Sequence, residues 1–334
     1  MSRIRQSFAL SSLFAGFCTA LAAAAPSANA DAPNVVASIK PVHSLVAGVM
    51  GKLGTPHLLV SGADSPHTYA MRPSDAQALS EADLVFWIGP ELETFLERPI
   101  GNLGDKATSV ALIDAPGLIL LGFGETDADE HEHDGDHDED HDAGDHDQDD
   151  HDAEDHAGEG HSHQGTDPHV WLDPANARAM VDAIASALAT ADSENEAAYL
   201  ANAEALKGRL TQLEADTQTI LEPYRNAPYF TFHDSFRYFD ARFALDGHGS
   251  ISVSPERQPG VQRLGEIRDE ITAFGQVCIF AEPQFPPKLV NVIVEGTTAR
   301  TGTLDPLGAS LPPGEQLYFE LIGANRKAFT DCFG

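Results

Sequence analysis

The sequence predicts an α/β protein of two lobes joined by a long helix. Three observations carry this. Short apolar or β-branched runs alternate with helical stretches in two separate sets, the pattern of parallel sheets covered by helices. A helical stretch of about 30 residues lies between the sets and would span ~45 Å, enough to run along both lobes. The 334 residues, 42% of them hydrophobic, supply core for two domains more readily than for one.

The first set opens with Asn34–Ile39, a short β-branched strand. Pro41 suits a helix start, and a helix is expected over Pro41–Lys52. His57–Val60 is a second strand, and Ser74–Ala82, behind Pro73, a helix. Leu84–Ile88 (LVFWI) is wholly apolar between Asp83 and Gly89, as a strand buried on both faces should be. A short helix over Glu91–Glu97 and a strand over Ser109–Leu112 complete the set. After an insert comes the turn-rich segment Asp167-Pro168-His169-Val170-Trp171-Leu172-Asp173-Pro174, then a helix over Ala175–Leu188.

The long helix follows. Ser193 and Glu196 have capping-box spacing. Leu200, Ala203, Leu206, Leu210, Leu213 and Ile220 recur with helical period, and Pro223 ends the stretch. The second set has a strand at Tyr229–Phe232, with His233 at its carboxyl end, and a helix over Ser235–Phe243. His248 falls in a glycine-flanked loop. A helix over Val261–Thr272 follows Pro259-Gly260, Val277–Ala281 is a buried strand, and Pro286–Gly296 reads as a helix. A strand runs into Thr303-Leu304-Asp305-Pro306, and a last helix covers Leu317–Phe329. The expected layout is a signal segment over 1–30, an N-terminal lobe over 31–190, a linking helix over 191–224 and a C-terminal lobe over 225–334.

Charge is distributed unevenly. Lys and Arg number 20 against 52 Asp and Glu, a net −32, which argues against binding nucleic acid or an anionic membrane surface. Residues 125–163 alone hold 19 acids, nine histidines and no Lys or Arg; removing those 19 charges from −32 leaves −13 for the rest. Their histidines are His131, His133, His137, His141, His146, His151, His156, His161 and His163. With almost nothing apolar to bury, this insert is expected to be disordered. It reads either as a solvated acidic loop or as a collector of weakly bound zinc, its imidazoles binding and its acids attracting cations.

The N-terminus has Arg3 and Arg5, an apolar stretch over Phe8–Ala25, and Ala28-Asn29-Ala30. This is the pattern of a secretory signal cleaved after Ala30, although an apolar run of about 18 residues could also serve as an anchor. Maturation would leave Cys278 and Cys332 in an exported chain. Such a pair reads as a disulfide closing about 50 residues, worth ~4 kcal/mol; paired metal ligands are the alternative, without the usual CxxC spacing.

Open α/β sheets bind ligands beyond the carboxyl ends of their strands. Three histidines fall in such places: His67 in Ser65-Pro66-His67-Thr68-Tyr69, His169 in Asp167-Pro168-His169, and His233. Neutral imidazole is a common zinc ligand. The separations of 102 and 64 residues are far too long for a zinc finger or an HExxH helix, so a shared site would be built by the tertiary fold. His43 is expected to pack or hydrogen-bond within the first helix, and His57 to start a strand. Glu282 is expected to support the cleft behind the ligands, and Asp167 and Asp173 to support His169 or make Asx turns.

The segments Gly62–Asp75 (GADSPHTYAMRPSD), Asp167–Pro174 (DPHVWLDP), Thr231–Asp234 (TFHD), Phe280–Phe285 (FAEPQF) and Leu304–Gly308 (LDPLG) resemble, in this order, the signatures of the ZnuA-type periplasmic zinc-binding proteins of zinc ABC transporters. The match covers nearly the whole mature chain, and an acidic His-rich insert after the first signature is a habit of the zinc branch. The resemblance implies a rigid connecting helix and a metal site in the cleft, with His67 and His169 from the N-terminal lobe and His233 from the C-terminal lobe. It implies no enzyme but a periplasmic monomer that captures Zn2+ with high affinity and delivers it to an inner-membrane permease and its ATPase. Manganese-binding relatives carry an acid where His233 stands, and imidazole suits zinc better than manganese. Some zinc members place Glu before the first histidine as a fourth ligand. Pro66 stands there, which leaves water or Asp305 for the fourth position. An exported zinc hydrolase and a manganese receptor of the same fold are the competing readings.

Overall fold

Residues 32–103, 106–122, 165–252 and 259–334 are described by a computed structural model of the chain. The expected signal segment and the His-rich insert lie outside them. Among the described residues no helix is long and apolar enough to cross a membrane.

Two four-stranded parallel sheets form, one in each half. The first has β1 (Val35–Ala37), β2 (His57–Leu58), β3 (Leu84–Trp87) and β4 (Thr108–Ala111) in the order β2-β1-β3-β4. The second has β5 (Tyr229–His233), β6 (Gly247–Ser252), β7 (Cys278–Ala281) and β8 (Arg300–Thr303) in the order β6-β5-β7-β8. The winding is the same in both. Each sheet reverses direction beside its first strand, between β1 and β3 and between β5 and β7, and such a reversal opens a crevice at the carboxyl ends.

Helices cover the sheets: α1 (Lys40–Met50), α2 (Pro73–Ser80), α3 (Thr94–Gly101), α4 (Pro174–Ala191), α5 (Glu196–Leu221), α6 (Arg237–Phe243), α7 (Val261–Phe274), α8 (Lys288–Val294) and α9 (Leu317–Phe333). α5 carries the chain towards β5 and packs on α4, α1 and α9. One hydrophobic cluster runs through both halves, taking in Val85 and Trp171 from the first and Tyr229, Phe280 and Phe329 from the second. A smaller cluster around Phe230, Ile267 and Ile279 lies under α7 and α8.

Several elements differ from expectation. α3 begins at Thr94 rather than Glu91, because the Leu92 and Glu93 amides turn back onto the Gly89 carbonyl and aim the Glu93 side chain inward. The Ser193–Glu196 capping box does not form, since α5 starts at Glu196 with Asn195 before it. Asp192 holds the corner instead, accepting from the Asn195 amide and the Tyr199 hydroxyl at 2.8 Å each. At 26 residues, α5 is ~39 Å long. Its buried stripe uses Tyr199, Ala203, Leu206 and Leu210, while Leu200 and Ile220 are exposed. The segment with His248 is not a loop but the strand β6, which pairs with β5 across an irregular register near Tyr229 and Phe230.

Cys278 of β7 and Cys332 of α9 form a disulfide, with their Cα atoms 6.3 Å apart. It fastens the last helix to a buried strand. The pair is therefore not a set of metal ligands.

Candidate metal centre

His233 is the last residue of β5 and Glu282 stands just past the neighbouring β7, so both face the crevice where the second sheet reverses. Glu282 Oε1 accepts from the His233 backbone N–H at 3.0 Å and lies 2.7 Å from its Nδ1. His169 is held by the same device. Asp167 Oδ1 accepts from the His169 backbone N–H at 3.0 Å and lies 2.7 Å from its Nδ1. Each imidazole thus has a buried carboxylate on Nδ1, which fixes that nitrogen as the donor and leaves Nε2 with a free lone pair.

The His169 loop is anchored at its base. Gly122 and Thr166 form an antiparallel bridge where the His-rich insert leaves and returns, and the Asp167 N–H donates to the Leu121 carbonyl at 2.9 Å. Tyr238 of α6 ties both chains, its hydroxyl accepting from the Leu121 N–H at 3.0 Å and donating to the Asp167 carbonyl at 2.8 Å. His67 sits on the loop after β2. That loop is tied back by Tyr69, whose hydroxyl donates to Asp75 Oδ2 at 2.6 Å, and by the Arg72 N–H, which donates to the same oxygen at 3.1 Å.

The three imidazoles meet. Their ligand atoms all lie within 4.8 Å of one another, and among the described residues this is the only such group of three. His169 Nε2 is 3.4 Å from His67 Nε2 and 3.3 Å from His233 Nε2. Bonds of about 2.0–2.1 Å to a tetrahedral zinc would place neighbouring nitrogens about 3.3–3.4 Å apart. With Nδ1 of His169 and of His233 each donating to a carboxylate, the lone pairs of their Nε2 atoms face each other and repel unless a cation stands between them. Trp171 and Phe285, with ring centres 5.3 Å from His169 and 5.8 Å from His233, give the site apolar walls. Burial, reinforced by the two neighbouring imidazoles, holds the His67 pKa down to about 2, which keeps that ring neutral and able to ligate. For His233, burial is the largest single influence and opposes protonation, but the charge and hydrogen bond of Glu282, joined by the Asp167 and Asp234 charges, together outweigh it and the pKa is raised.

The other singled-out residues take different places. Asp305 does not join the cluster. Its Oδ1 accepts from the Leu307 and Gly308 N–H groups at 3.0 and 2.9 Å, and its Oδ2 from Ala309 at 2.6 Å. The carboxylate is committed to folding its own loop. Asp173 does not support His169; it caps α4 through the Ala175 N–H at 2.7 Å and pairs with Arg242 at 2.6 and 2.7 Å. His43 Nε2 lies 3.1 Å from the Pro56 carbonyl, and His57 starts β2. The histidines of the insert lie outside the described residues. Sequence reasoning passed over Gln284, Trp171 and Leu307, which line the cavity between the imidazoles. All three stand in the quoted signature segments, the one signal that could have raised them.

The sequence pattern of a family described as ZnuA, zinc-uptake complex component A, periplasmic, matches residues 35–332. The chain belongs to this family. Among its members, the high-affinity zinc uptake system protein ZnuA of Brucella abortus is 44% identical over 99% of both chains. The protein of the same name from Paracoccus denitrificans is 43% identical over 94% of this chain and 96% of its own. A crystal structure of ZnuA superposes with a TM-score of 0.71 at 23% identity, covering 91% of this chain and all of that one, a likeness of fold alone. The laminin-binding protein Lmb of Streptococcus agalactiae, described as bifunctional with adhesin and metal-transporting activity, reaches a TM-score of 0.69 at 26% identity, over 90% of this chain and all of its own. The family is one of solute-binding transport proteins of the periplasm, and the fold is theirs.

Proposed function

We propose that this chain is a periplasmic receptor that binds Zn2+ through Nε2 of His67, His169 and His233 and delivers it to an ABC permease and its ATPase. The observation that carries the reading is the spacing of the three nitrogens, two of whose separations equal the edge of a zinc tetrahedron. An all-imidazole protein donor set favours zinc over manganese. The space between the rings, about 10 Å3 for the centre of a water molecule, takes about one water-sized particle. That suits one small ligand beside an ion held by the three nitrogens. The reading is therefore capture and release, with water in the place once open to Asp305.

Export would follow cleavage after Ala30, and the mature chain would act as a monomer. The insert would collect further zinc weakly, since ordering a flexible segment around each ion costs entropy.

Metal analysis of the mature chain tests this. One tightly held zinc per chain is expected, lost in His67→Ala, His169→Ala and His233→Ala. Deleting residues 125–163 should lower total zinc and keep the tight ion. Retention of tight zinc by all three alanine variants, or its loss on deletion of the insert, would refute the assignment. Turnover of esters or peptides by the zinc form would instead favour a hydrolase.

A further inference from the structure

We infer that Gln284 is a positioning residue for the fourth coordination place, its side-chain carbonyl accepting a hydrogen bond from a water bound to the metal. The inference rests on the three-histidine site proposed above. Gln284 lines the same small cavity as His67, His169 and His233. Its amide nitrogen donates to Asp305 Oδ1 at 2.9 Å. That carboxylate already accepts three backbone N–H groups, so it can only accept, and the amide must turn its NH2 towards it. The carbonyl end is thereby fixed the other way by chemistry. Gln284 Oε1 is sealed from solvent and has no partner within the protein.

A buried acceptor without a donor is costly, and this one stands where a donor is due. Three imidazoles leave a tetrahedral ion one open place, and the cavity has room for about one water. Much of the remaining wall is apolar, with Trp171, Phe285, Pro306 and Leu307. Trp171 cannot serve, because its indole N–H already donates to the Pro306 carbonyl at 2.8 Å. Glu282 Oε1 is committed to His233, and its Oε2, also sealed and without a hydrogen bond, lies 2.7 Å from the same Nδ1 in an ion pair. A metal-bound water is a strong donor, and Gln284 Oε1 is a sealed acceptor with neither a donor nor an ion-pair partner. A neutral amide holds that water without adding negative charge. The ion then keeps four neutral ligands and is released more readily than from a carboxylate, as delivery requires.

Asp305 acquires a role by this route. It binds no metal, yet it sets the orientation of the group that holds the water.

The test compares the zinc release rates of the mature chain, Gln284→Leu and Gln284→Glu, measured with a chromophoric chelator in excess. Both variants lose the amide bond to Asp305, and glutamate alone keeps an acceptor oxygen. Release from the leucine variant should be about 10-fold faster than from the unchanged chain. Release from the glutamate variant should be no faster than from the unchanged chain. A purely structural role predicts that the two variants behave alike. Equal release from both, or unaltered release from Gln284→Leu, overturns the inference while leaving the site intact. If His169→Ala does not change zinc binding, the site itself fails and the inference falls with it.

Discussion

Asp167 and Glu282 show how much the proposed site depends on groups behind the three imidazoles. Each uses one oxygen to take both the backbone N–H and the ring Nδ1 of one histidine, so the imidazole is set in position and in tautomer at once. Partners of this kind typically change metal affinity by about 10–100-fold. Asp167→Asn and Glu282→Gln should each weaken zinc by at least about 10-fold while the metal-free chain stays folded, as read by competition with a chelator of known affinity. Unchanged affinity in both would mean the rings are held by packing alone. The three histidines that meet were legible in the sequence as candidate ligands because each stands at a strand end or beside a proline within a recognisable segment. Glu282 was legible as a supporting residue for the same reason. The parts proposed for Gln284 and Asp305 were not, because they depend on how two loops meet, and the sequence offered Asp305 only as a possible ligand.

Among the elements, Glu93 joins three. It accepts from the Ser38 hydroxyl just past β1 at 2.5 Å, and from the Ile88 and Gly89 N–H groups after β3 at 3.3 and 3.0 Å, immediately before α3. Burial pushes its pKa from 4.5 up to about 7, against the pull of those hydrogen bonds. The fold therefore prefers the protonated acid. The stabilisation is full below pH 4.5 and is lost as pH rises through 7, amounting to on the order of 3 kcal/mol. The melting temperature of the metal-free chain should fall over that interval more steeply than that of Glu93→Gln; parallel profiles would refute it. Where a single feature dominates, elements follow the sequence closely. Leu84–Trp87 is wholly apolar and buried throughout, and Pro73 and Pro174 each open a helix. β6 was missed because Gly247-His248-Gly249-Ser250 lacks β-branched residues, and its pairing comes from β5 rather than from propensity. The displaced start of α3 has the same origin: a turn that buries Glu93 overrides the local helical signal.

At the scale of the molecule, the halves are bound by more than the connecting helix. Lys40, only 4% exposed, sends its ammonium from the first half to the Gly308, Ala309 and Leu311 carbonyls of the second at 2.9, 2.7 and 3.0 Å. Desolvation lowers its pKa although Asp305 opposes the shift. The Tyr318 hydroxyl donates to the Trp171 carbonyl at 2.7 Å, and Arg242 grips Asp173. A single hydrophobic cluster passes between the sheets beneath these ties. Opening by a wide hinge would break them together, so metal exchange should proceed by small loop movements. Lys40→Met should cost about 2 kcal/mol or more and speed hydrogen exchange at 307–311 without affecting β3. Exchange that accelerates equally in β3 would point to general loosening. The two-lobed plan was visible in the alternation of strands and helices, but nothing along the chain announces a lysine that reaches a loop 268 residues away.

The bridge between Gly122 and Thr166 has a consequence for how such chains can vary. Because the two ends are already fastened side by side, the framework does not register how much chain runs between them. Lengthening, shortening or replacing that stretch should leave the geometry of the three histidines untouched, so the insert is free to vary without disturbing their meeting point.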